Sequence, residues 1–279
     1  MFTKNNWLYS NIKQRIIDPS IDLFVNINLR NITVKKLSFE DACDYNVNQI
    51  KNSYNKKIYI AFSGGMDSEK IVRVFHRNKI DFLPIIVICD DNKEETQIAF
   101  DVCKELSLDP VVLHMTENDL KYVLFIDILT TLKSIGIYAA QHIFASKFVT
   151  LEKGILIDGA EMLDSEGPIK NTKIGLNDWD IYPYGLLSNV SISIPFYYYT
   201  PEIFYSFVER VDEKSDDTIQ TFKSKLYQIK NRPKYRAKYQ NTLYKFAHFM
   251  SEKNKKLSKN YFIFGNKLET LKFFGNIGN

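Results

Sequence analysis

The sequence contains no run of eighteen apolar residues, which excludes a transmembrane helix within it. It also has little cysteine: Cys43, Cys89 and Cys103 are scattered along the chain and form no Cys-x-x-Cys pair. An odd number of scattered cysteines is typical of reduced thiols, so we expect a cytoplasmic protein. Residues 1–11 lack the apolar segment of a signal peptide, which agrees with that expectation.

Histidine is equally sparse, and the positions of the four residues match no zinc-binding spacing: His76, His114, His142 and His248. We interpret each of them as a surface residue or a hydrogen-bonded core residue. The hydrophobic fraction of 45% is normal for a globular protein that buries a sizeable core. A chain of 279 residues is long enough for one large domain, or for a core domain with an appendage.

The charge of the chain is unevenly distributed. Residues 214–279 hold thirteen Lys and two Arg against four acidic residues, a balance of +11. Because the whole chain carries +4, residues 1–213 carry −7. This asymmetry predicts that the C-terminal part contacts something anionic, either a ligand or the acidic part of the chain itself.

The most informative stretch of the chain is residues 58–68, which read Ile-Tyr-Ile-Ala-Phe-Ser-Gly-Gly-Met-Asp-Ser. Their first five residues are apolar and rich in β-branched and aromatic types, so they predict a buried strand. A turn at Gly64 and Gly65 follows, and a helix begins near Asp67. In such a strand–turn–helix unit, backbone N–H groups at the helix start bind anions, and glycines let the backbone approach phosphate oxygens closely.

The polar residues of this turn suit a phosphate group held together with a cation. Ser63 and Ser68 add hydroxyl donors. Asp67 would repel a phosphate by itself, but it fits if Mg²⁺ lies between the carboxylate and the phosphate. The alternative is a plain glycine turn in which Asp67 or Ser68 only caps the helix.

The six residues Ser63-Gly64-Gly65-Met66-Asp67-Ser68 differ from a Walker A loop, because no Lys follows the glycines. They resemble the PP-loop of the ATP pyrophosphatase superfamily, which includes asparagine synthetase, NAD synthetase and several tRNA-modifying enzymes. The resemblance implies an adenine nucleotide alpha-hydrolase-like fold, with ATP and Mg²⁺ as cofactors. The resemblance extends over roughly residues 38–167, but only the loop at residues 63–68 matches a specific sequence motif of the superfamily.

The pattern of elements predicts an α/β fold with a doubly wound, mostly parallel sheet and a helical C-terminal part. Apolar runs predict strands at 58–62, 84–89, 111–113 and 154–159. Residues 192–199 are strongly aromatic, which favours core packing over a pocket wall. Helix-capping residues and apolar periodicity predict helices at 38–54, from 67 onward, and at 94–107, 116–134, 137–151, 201–211, 216–229 and 233–250.

We divide the chain into an N-terminal extension (1–55), a nucleotide-binding α/β domain (56–190) and a basic helical region (191–279).

Ligands bind parallel sheets beyond the carboxyl ends of the strands, so two further strand ends are candidate sites. Ile88 and Asp90, at the second strand end, are predicted to contact the nucleotide together with Gly159 and the loop residues. The sequence from Asp158 resembles the second signature of asparagine synthetases, in which an acid helps to hold Mg²⁺ and pyrophosphate. The match is imperfect, because Glu161 alone represents the usual Asp-Glu pair. We therefore predict Asp67, Asp158 and Glu161 as metal ligands; the alternative is a polar loop in water.

The resemblance implies an amide-forming ligase that adenylates a small-molecule substrate, with a carboxylate as the expected class, and releases pyrophosphate. Asparagine-synthetase-like enzymes take a catalytic lysine from their C-terminal helices, so Lys234 and Lys238 are the candidates here. Phe2 follows Met1, so this chain lacks the N-terminal cysteine of glutaminase domains. Ammonia, an amine or a separate amidotransferase subunit would then supply the nitrogen, and no membrane is involved.

Two other classes of protein, a tRNA-modifying enzyme and a nucleotide-binding regulator, fit some of these observations. A PP-loop enzyme that adenylates a tRNA base would explain the basic C-terminal segment and the tyrosines interleaved among its lysines. Thiolating enzymes of that kind often carry paired cysteines, which are absent here. A nucleotide-binding regulator would keep the glycines but would not need acids at three strand ends.

Overall fold

A computed structural model gives the fold of the protein. The structure describes residue 4, residues 7–10, 25–27, 33–89, 92–123, 138–160, 162–163 and 168–176, residue 190, residues 193–232, 262–265 and 267–272, and residue 274. None of the helices in this part of the chain is both long enough and apolar enough to cross a membrane.

The described residues form nine strands and eight α-helices. The strands are β1 (Leu8–Ser10), β2 (Val25–Ile27), β3 (Ile58–Ala61), β4 (Leu83–Ile88), β5 (Val111–His114), β6 (Ile155–Asp158), β7 (Ile174–Leu176), β8 (Ser193–Pro195) and β9 (Phe262–Gly265). The helices are α1 (Phe39–Ser53), α2 (Met66–Arg77), α3 (Lys93–Glu105), α4 (Glu117–Tyr122), α5 (Tyr138–Leu151), α6 (Pro201–Arg210), α7 (Ile219–Tyr227) and α8 (Lys267–Lys272).

Five strands form one parallel sheet in the order β5-β4-β3-β6-β8. The chain builds outward from β3 through β4 to β5, and then returns to place β6 on the other side of β3. This reversal of strand order creates a topological switch point between β3 and β6, where open α/β sheets leave a crevice for ligands. The predicted doubly wound α/β fold is confirmed.

Helices cover both faces of this sheet, as the alternation of side chains along β3 requires. On one face, Ile58 and Ile60 belong to the main core cluster, which includes the apolar side of α2. On the other face, Tyr59 packs with Ala145 and Val149 of α5. The sheet is therefore buried on both sides, which explains why its strands read as continuous apolar runs.

The predicted helix starts agree with the structure where the cap signals were strong. Ser38 caps α1 by accepting a hydrogen bond from the Asp41 N–H at 3.1 Å. Thr116 and Asp119 form a reciprocal capping box at α4. The described part of that helix ends at Tyr122, and the rest of the predicted segment to residue 134 lies outside the described residues.

The aromatic run at residues 196–199 contributes to the core, as predicted. Phe196, Tyr197, Tyr198 and Tyr199 are each at most 2% exposed. The sequence did not predict β8, which immediately precedes this run and pairs with β6 as the fifth parallel strand. The strand has only three residues, and the alternation of apolar and polar residues that leads into it at 190–194 was overlooked beside the aromatic segment that follows.

The N-terminal residues join the same core. Trp7 is fully buried, its indole N–H donates to the Tyr198 carbonyl oxygen at 3.0 Å, and its ring packs against Phe204 and Phe274. Nearby, β1 and β2 pair in an antiparallel arrangement, with Leu8 opposite Ile27. The three-part division of the chain stays a prediction.

Glu202 lies in the first turn of α6 and is only 4% exposed. Burial raises the pKa of its carboxyl group, although Oε1 accepts a hydrogen bond from the Lys35 N–H at 3.4 Å. Because the pKa of Glu202 is higher in the folded than in the unfolded state, its protonated form stabilises the fold at a pH below 4.5. This stabilisation is lost as the pH rises through the pKa of the folded state, where the buried carboxyl group becomes charged.

We therefore expect Glu202→Gln to raise the melting temperature at pH 7, because glutamine has no charge to desolvate. At a pH well below 4.5, where the carboxyl group is protonated in both states, the gain should disappear. Thermal unfolding at the two pH values measures this difference, with Glu209→Gln on the exposed side of α6 as the control. An equal gain at both pH values would contradict the explanation.

Candidate functional site

The candidate site lies at the switch point of the sheet, where the ends of β3 and β6 meet. The loop 62–65 follows β3, and Asp158 and Gly159 stand at the end of β6. A Cβ atom on Gly159 would lie 3.2 Å from both the Asp67 Cβ and the Ser68 nitrogen. The residue that follows β6 is therefore packed against the start of α2, and a side chain at Gly159 would crowd that helix start.

The turn after β3 depends on Gly64. Its φ is +93°, a conformation that residues with a side chain rarely adopt. A Cβ atom there would also lie 2.2 Å from the carbonyl oxygen of Glu95 in α3. Gly65 is different: its φ is −70°, and the nearest atom to a Cβ would be the Ser63 Oγ at 3.3 Å. Gly64 is needed for the fold, whereas Gly65 leaves space beside the helix start.

Backbone N–H groups converge at the start of α2. Gly65 is the N-cap residue, and no side chain caps this end of the helix. The first-turn N–H groups of a helix have no partners within the helix, so they are available to an anion. The Ser63 Oγ accepts a hydrogen bond from the Gly65 N–H and lies 3.3 Å from the Ser68 Oγ, and Ser68 donates to the Gly65 carbonyl oxygen. The two hydroxyl groups therefore brace the loop.

The carboxylate of Asp67 contacts helix α7 through both of its oxygens. Lys223 Nζ lies 2.7 Å from Oδ2, and the Tyr227 hydroxyl donates to Oδ1 at 2.7 Å. The Lys223 side chain is 2% exposed and that of Asp67 is 24% exposed. The Tyr197 hydroxyl also donates to the Asp67 backbone carbonyl at 3.1 Å. A segment more than 150 residues later thus fixes Asp67 in place.

Stacked aromatic rings hold these hydroxyl groups in position. The Tyr227 ring lies between Phe39 and Tyr197, with centroids 5.6 Å and 5.8 Å away and nearly parallel planes. Burial raises the pKa of both tyrosines well above the ordinary value, and the nearby Asp67 charge acts in the same direction. Both phenols therefore remain protonated hydrogen-bond donors near neutral pH.

A second buried ion pair joins the loop to the segment that follows α7. Glu69 is 1% exposed, and its carboxylate contacts Arg73 Nε at 2.8 Å and Arg232 Nη1. The same Arg232 nitrogen lies 3.4 Å from the Gly64 carbonyl oxygen. Arg73 continues the network through two 2.8 Å bonds to Glu105. Two cations of the C-terminal segment, Lys223 and Arg232, are therefore placed next to the loop.

Asp158 is, besides Asp67, the predicted metal ligand that lies within the described residues. It is 2% exposed; its Oδ1 accepts a hydrogen bond from the Ala160 N–H at 3.2 Å, and its Oδ2 has no partner among the described residues. A buried carboxylate oxygen without a partner is energetically costly, so this atom suits a cation. Within the described part of the chain, no group of three or more His, Cys, Asp or Glu side chains surrounds a possible metal position.

Several predicted site residues fall outside the described residues, namely Asp90, Glu161, Lys234 and Lys238, so their roles stay predictions. Ile88 ends β4, and its carbonyl oxygen accepts a hydrogen bond from the Met115 N–H at 2.9 Å. Close to it, Asn92 bridges the turn by accepting from the Cys89 N–H and donating to the Val87 carbonyl oxygen. The predicted contact of Ile88 with a nucleotide is untested.

The sequence analysis missed Lys223, Tyr227 and Arg232. A signal existed for the first of them: the buried residues of α7 are Ile219, Phe222, Lys223 and Tyr227, which lie on one side of the helix. A lysine on the apolar side of a helix indicates a buried charge with a partner. No comparable pattern surrounds Arg232.

A scan against models of known protein families found no match, and neither did a search of curated proteins. Among solved structures, a U34-tRNA thiolase from Methanococcus maripaludis is similar at 12% identity and a TM-score of 0.43, over 86% of this chain and 76% of that one. An NMN synthetase from Francisella tularensis has 12% identity and a TM-score of 0.37, over 79% and 97% of the two chains.

A third similar structure is an NH₃-dependent NAD synthetase from Campylobacter jejuni. It has 17% identity and a TM-score of 0.36, over 77% of this chain and 92% of that one. With identities and TM-scores this low, no activity of these proteins is transferred to the present chain.

Proposed function

We propose that this protein is a PP-loop enzyme that binds ATP at residues 63–68 and cleaves it between the α and β phosphates, so that a substrate becomes adenylated. The observation that carries the proposal is the uncapped start of α2 at the switch point of the sheet. Its N–H groups, the turn at Gly64 and the neighbouring cations together suit a pyrophosphate group.

The charges around the loop favour release of pyrophosphate. Lys223 and Arg232 come from the C-terminal segment and contact the Asp67 carboxylate and the Gly64 carbonyl oxygen, respectively. Lys223 is paired with Asp67 and Arg232 with Glu69, so these cations offset the negative charge of the two acids that would otherwise oppose a phosphate group at the start of α2. Transfer of a γ-phosphate by a P-loop enzyme normally uses the lysine of the Walker A motif, which this loop lacks.

Mg²⁺ fits this site on the side of Asp158, whose buried Oδ2 has no partner among the described residues. Glu161, three residues later, is a further candidate ligand. When bound there, Mg²⁺ would neutralise phosphate charge in the manner usual for nucleotide enzymes. The two oxygens of Asp67, by contrast, already contact Lys223 and Tyr227.

Among PP-loop enzymes that adenylate a substrate, we assign this protein to the amide-forming ligases similar to asparagine synthetase. The substrate would be a carboxylate, activated as its adenylate and then attacked by ammonia or an amine, with a separate amidotransferase subunit as a possible nitrogen source. Lys234 and Lys238 remain candidates for a catalytic role, and a cytoplasmic location fits the scattered cysteines. The motif resemblance supports this reading.

The second candidate is a tRNA-modifying enzyme that adenylates a base. The +11 balance of residues 214–279 favours it, because phosphate backbones bind basic surfaces. Several of these charges are already paired within the protein, however: Lys223 with Asp67, Lys225 with Asp217, and Arg232 with Glu69. This internal pairing leaves less charge for RNA, so we rank the small-molecule ligase first.

The deciding experiment is product analysis after incubation with Mg-ATP and candidate acceptors. We expect equal amounts of AMP and pyrophosphate, and ADP as the sole product would contradict the proposal. Gly65→Val is the test variant, because the φ of −70° at Gly65 suits a residue with a side chain and because Gly65 is the N-cap residue of α2, where added bulk would obstruct a bound anion. We expect it to lose product formation while keeping a wild-type circular dichroism spectrum.

A gel shift with bulk tRNA at low and moderate salt separates the two substrate classes. Weak binding that disappears at moderate salt supports the ligase. Tight binding that resists competitor RNA would favour the tRNA enzyme.

A further inference from the structure

Asp67 occupies the position where the sequence predicts a metal ligand, but its carboxylate is bound by the protein itself. Lys223 Nζ lies 2.7 Å from Oδ2, and the Tyr227 hydroxyl lies 2.7 Å from Oδ1. The ammonium group cancels the charge that would attract a divalent cation. A metal at Asp67 would have to compete with both donors.

Lys223 is not easily displaced from this contact. It lies on α7, whose side chains Ile219, Phe222 and Tyr227 are buried in the main core. Tyr227 is further fixed between two aromatic rings. Removing the ammonium group from Asp67 would require moving the helix out of the core, or leaving a buried lysine without its carboxylate, which is strongly unfavourable.

We propose that Lys223 is a built-in cation of the loop, which occupies at Asp67 the place expected for a divalent metal ion. This inference rests on the proposed function, because it concerns the same phosphate site. Lys223 makes Asp67 electrically neutral toward an incoming phosphate, so the loop binds the pyrophosphate group without a metal at Asp67. Any Mg²⁺ that takes part is held on the side of Asp158.

The first test measures binding of inorganic pyrophosphate by calorimetry, in EDTA and in Mg²⁺. The wild-type protein is expected to bind in EDTA. Lys223→Met should weaken this binding about ten- to a hundredfold, because the uncompensated Asp67 carboxylate would then repel the pyrophosphate. Mg²⁺ should largely restore binding to this variant, because Asp67 is then free to take a metal, and Lys223→Met combined with Asp67→Asn should abolish the rescue.

Lys225→Met is the matched control, since Lys225 lies on the same helix with an exposed side chain that pairs with Asp217 at the surface. It should behave as wild type in both buffers. Lys223→Arg keeps the positive charge and should retain binding in EDTA. This second variant keeps the test valid if Lys223→Met does not fold.

A second readout follows the metal directly, by electron paramagnetic resonance of Mn²⁺ in the presence of pyrophosphate. Asp67→Asn is expected to leave the Mn²⁺ affinity of the wild-type protein unchanged, whereas Asp158→Asn should lower it. Loss of Mn²⁺ binding in an Asp67→Asn variant that keeps the wild-type circular dichroism spectrum would overturn the inference.

The outcomes separate this inference from the proposed function. Pyrophosphate binding by the wild-type protein that strictly needs Mg²⁺, together with an unchanged Lys223→Met, overturns the role of Lys223 and leaves ATP cleavage standing. A wild-type protein that binds neither ATP nor pyrophosphate in either buffer overturns both.

Discussion

Replacing Gly64 with alanine is expected to destabilise the protein by about 3 kcal/mol, from overpacking and a strained backbone angle together. The new Cβ atom would lie 2.2 Å from the Glu95 carbonyl oxygen, which belongs to helix backbone and cannot rotate away. The residue would also have to adopt a φ of +93°. Either α3 shifts away from the loop or the loop changes conformation, and both disturb the start of α2.

Gly65→Ala is the matched control for this variant, since it adds the same methyl group to the neighbouring position. Its Cβ atom would meet two side-chain atoms, the Ser63 Oγ at 3.3 Å and the Glu95 Oε1 at 3.9 Å, and no backbone atom, and its φ of −70° suits any residue. Urea unfolding of the two variants measures the difference in the free energy of unfolding. Equal stabilities for the two variants would contradict the special role of Gly64.

The loop was predictable because its signals are local. A short apolar run, two glycines and a following helix fix a strand–turn–helix unit regardless of the rest of the chain, and the structure places β3, Gly64 and α2 as expected. Helix caps belong to the same class, since Ser38 and Asp41 are only three residues apart. In each case the stabilising interaction lies within a few residues.

The contacts of Asp67 were not predictable in the same way. Lys223 and Tyr227 reach it across 156 and 160 residues, and no local pattern specifies which helix covers the loop. The sequence predicted only that a basic C-terminal part would meet something anionic. In the described residues, that anionic partner includes two acids in the first turn of α2, Asp67 and Glu69.

The short strand β8 shows a second limit of sequence reading. Ser193–Pro195 has three residues and joins the sheet only because β6 leaves an edge beside it. Residues 190–194 read Val-Ser-Ile-Ser-Ile, and this alternation favours a strand, but the aromatic residues that follow dominate the pattern. Its position becomes clear only when the whole sheet is assembled.

Glu69→Gln is expected to destabilise the protein by about 3 kcal/mol, the lower range for breaking a buried ion pair. The carboxylate is 1% exposed and contacts both Arg73 and Arg232, so glutamine would leave two guanidinium groups facing a neutral amide. Glu105→Gln is the control, because Glu105 binds the same Arg73 but is 57% exposed, and exposed pairs contribute about 1 kcal/mol or less.

A double-mutant cycle with Arg232→Gln shows whether this cost arises at the contact between the loop and the C-terminal segment. Arg232 joins Glu69 to the Gly64 carbonyl oxygen, so both single variants should loosen the same junction. We expect a coupling energy of about 2 kcal/mol, in the range for residues that share one ion-pair network. Urea unfolding of the four proteins measures it. A coupling near zero, or a Glu69→Gln variant as stable as Glu105→Gln, would mean that Arg232 does not hold the C-terminal segment against the loop.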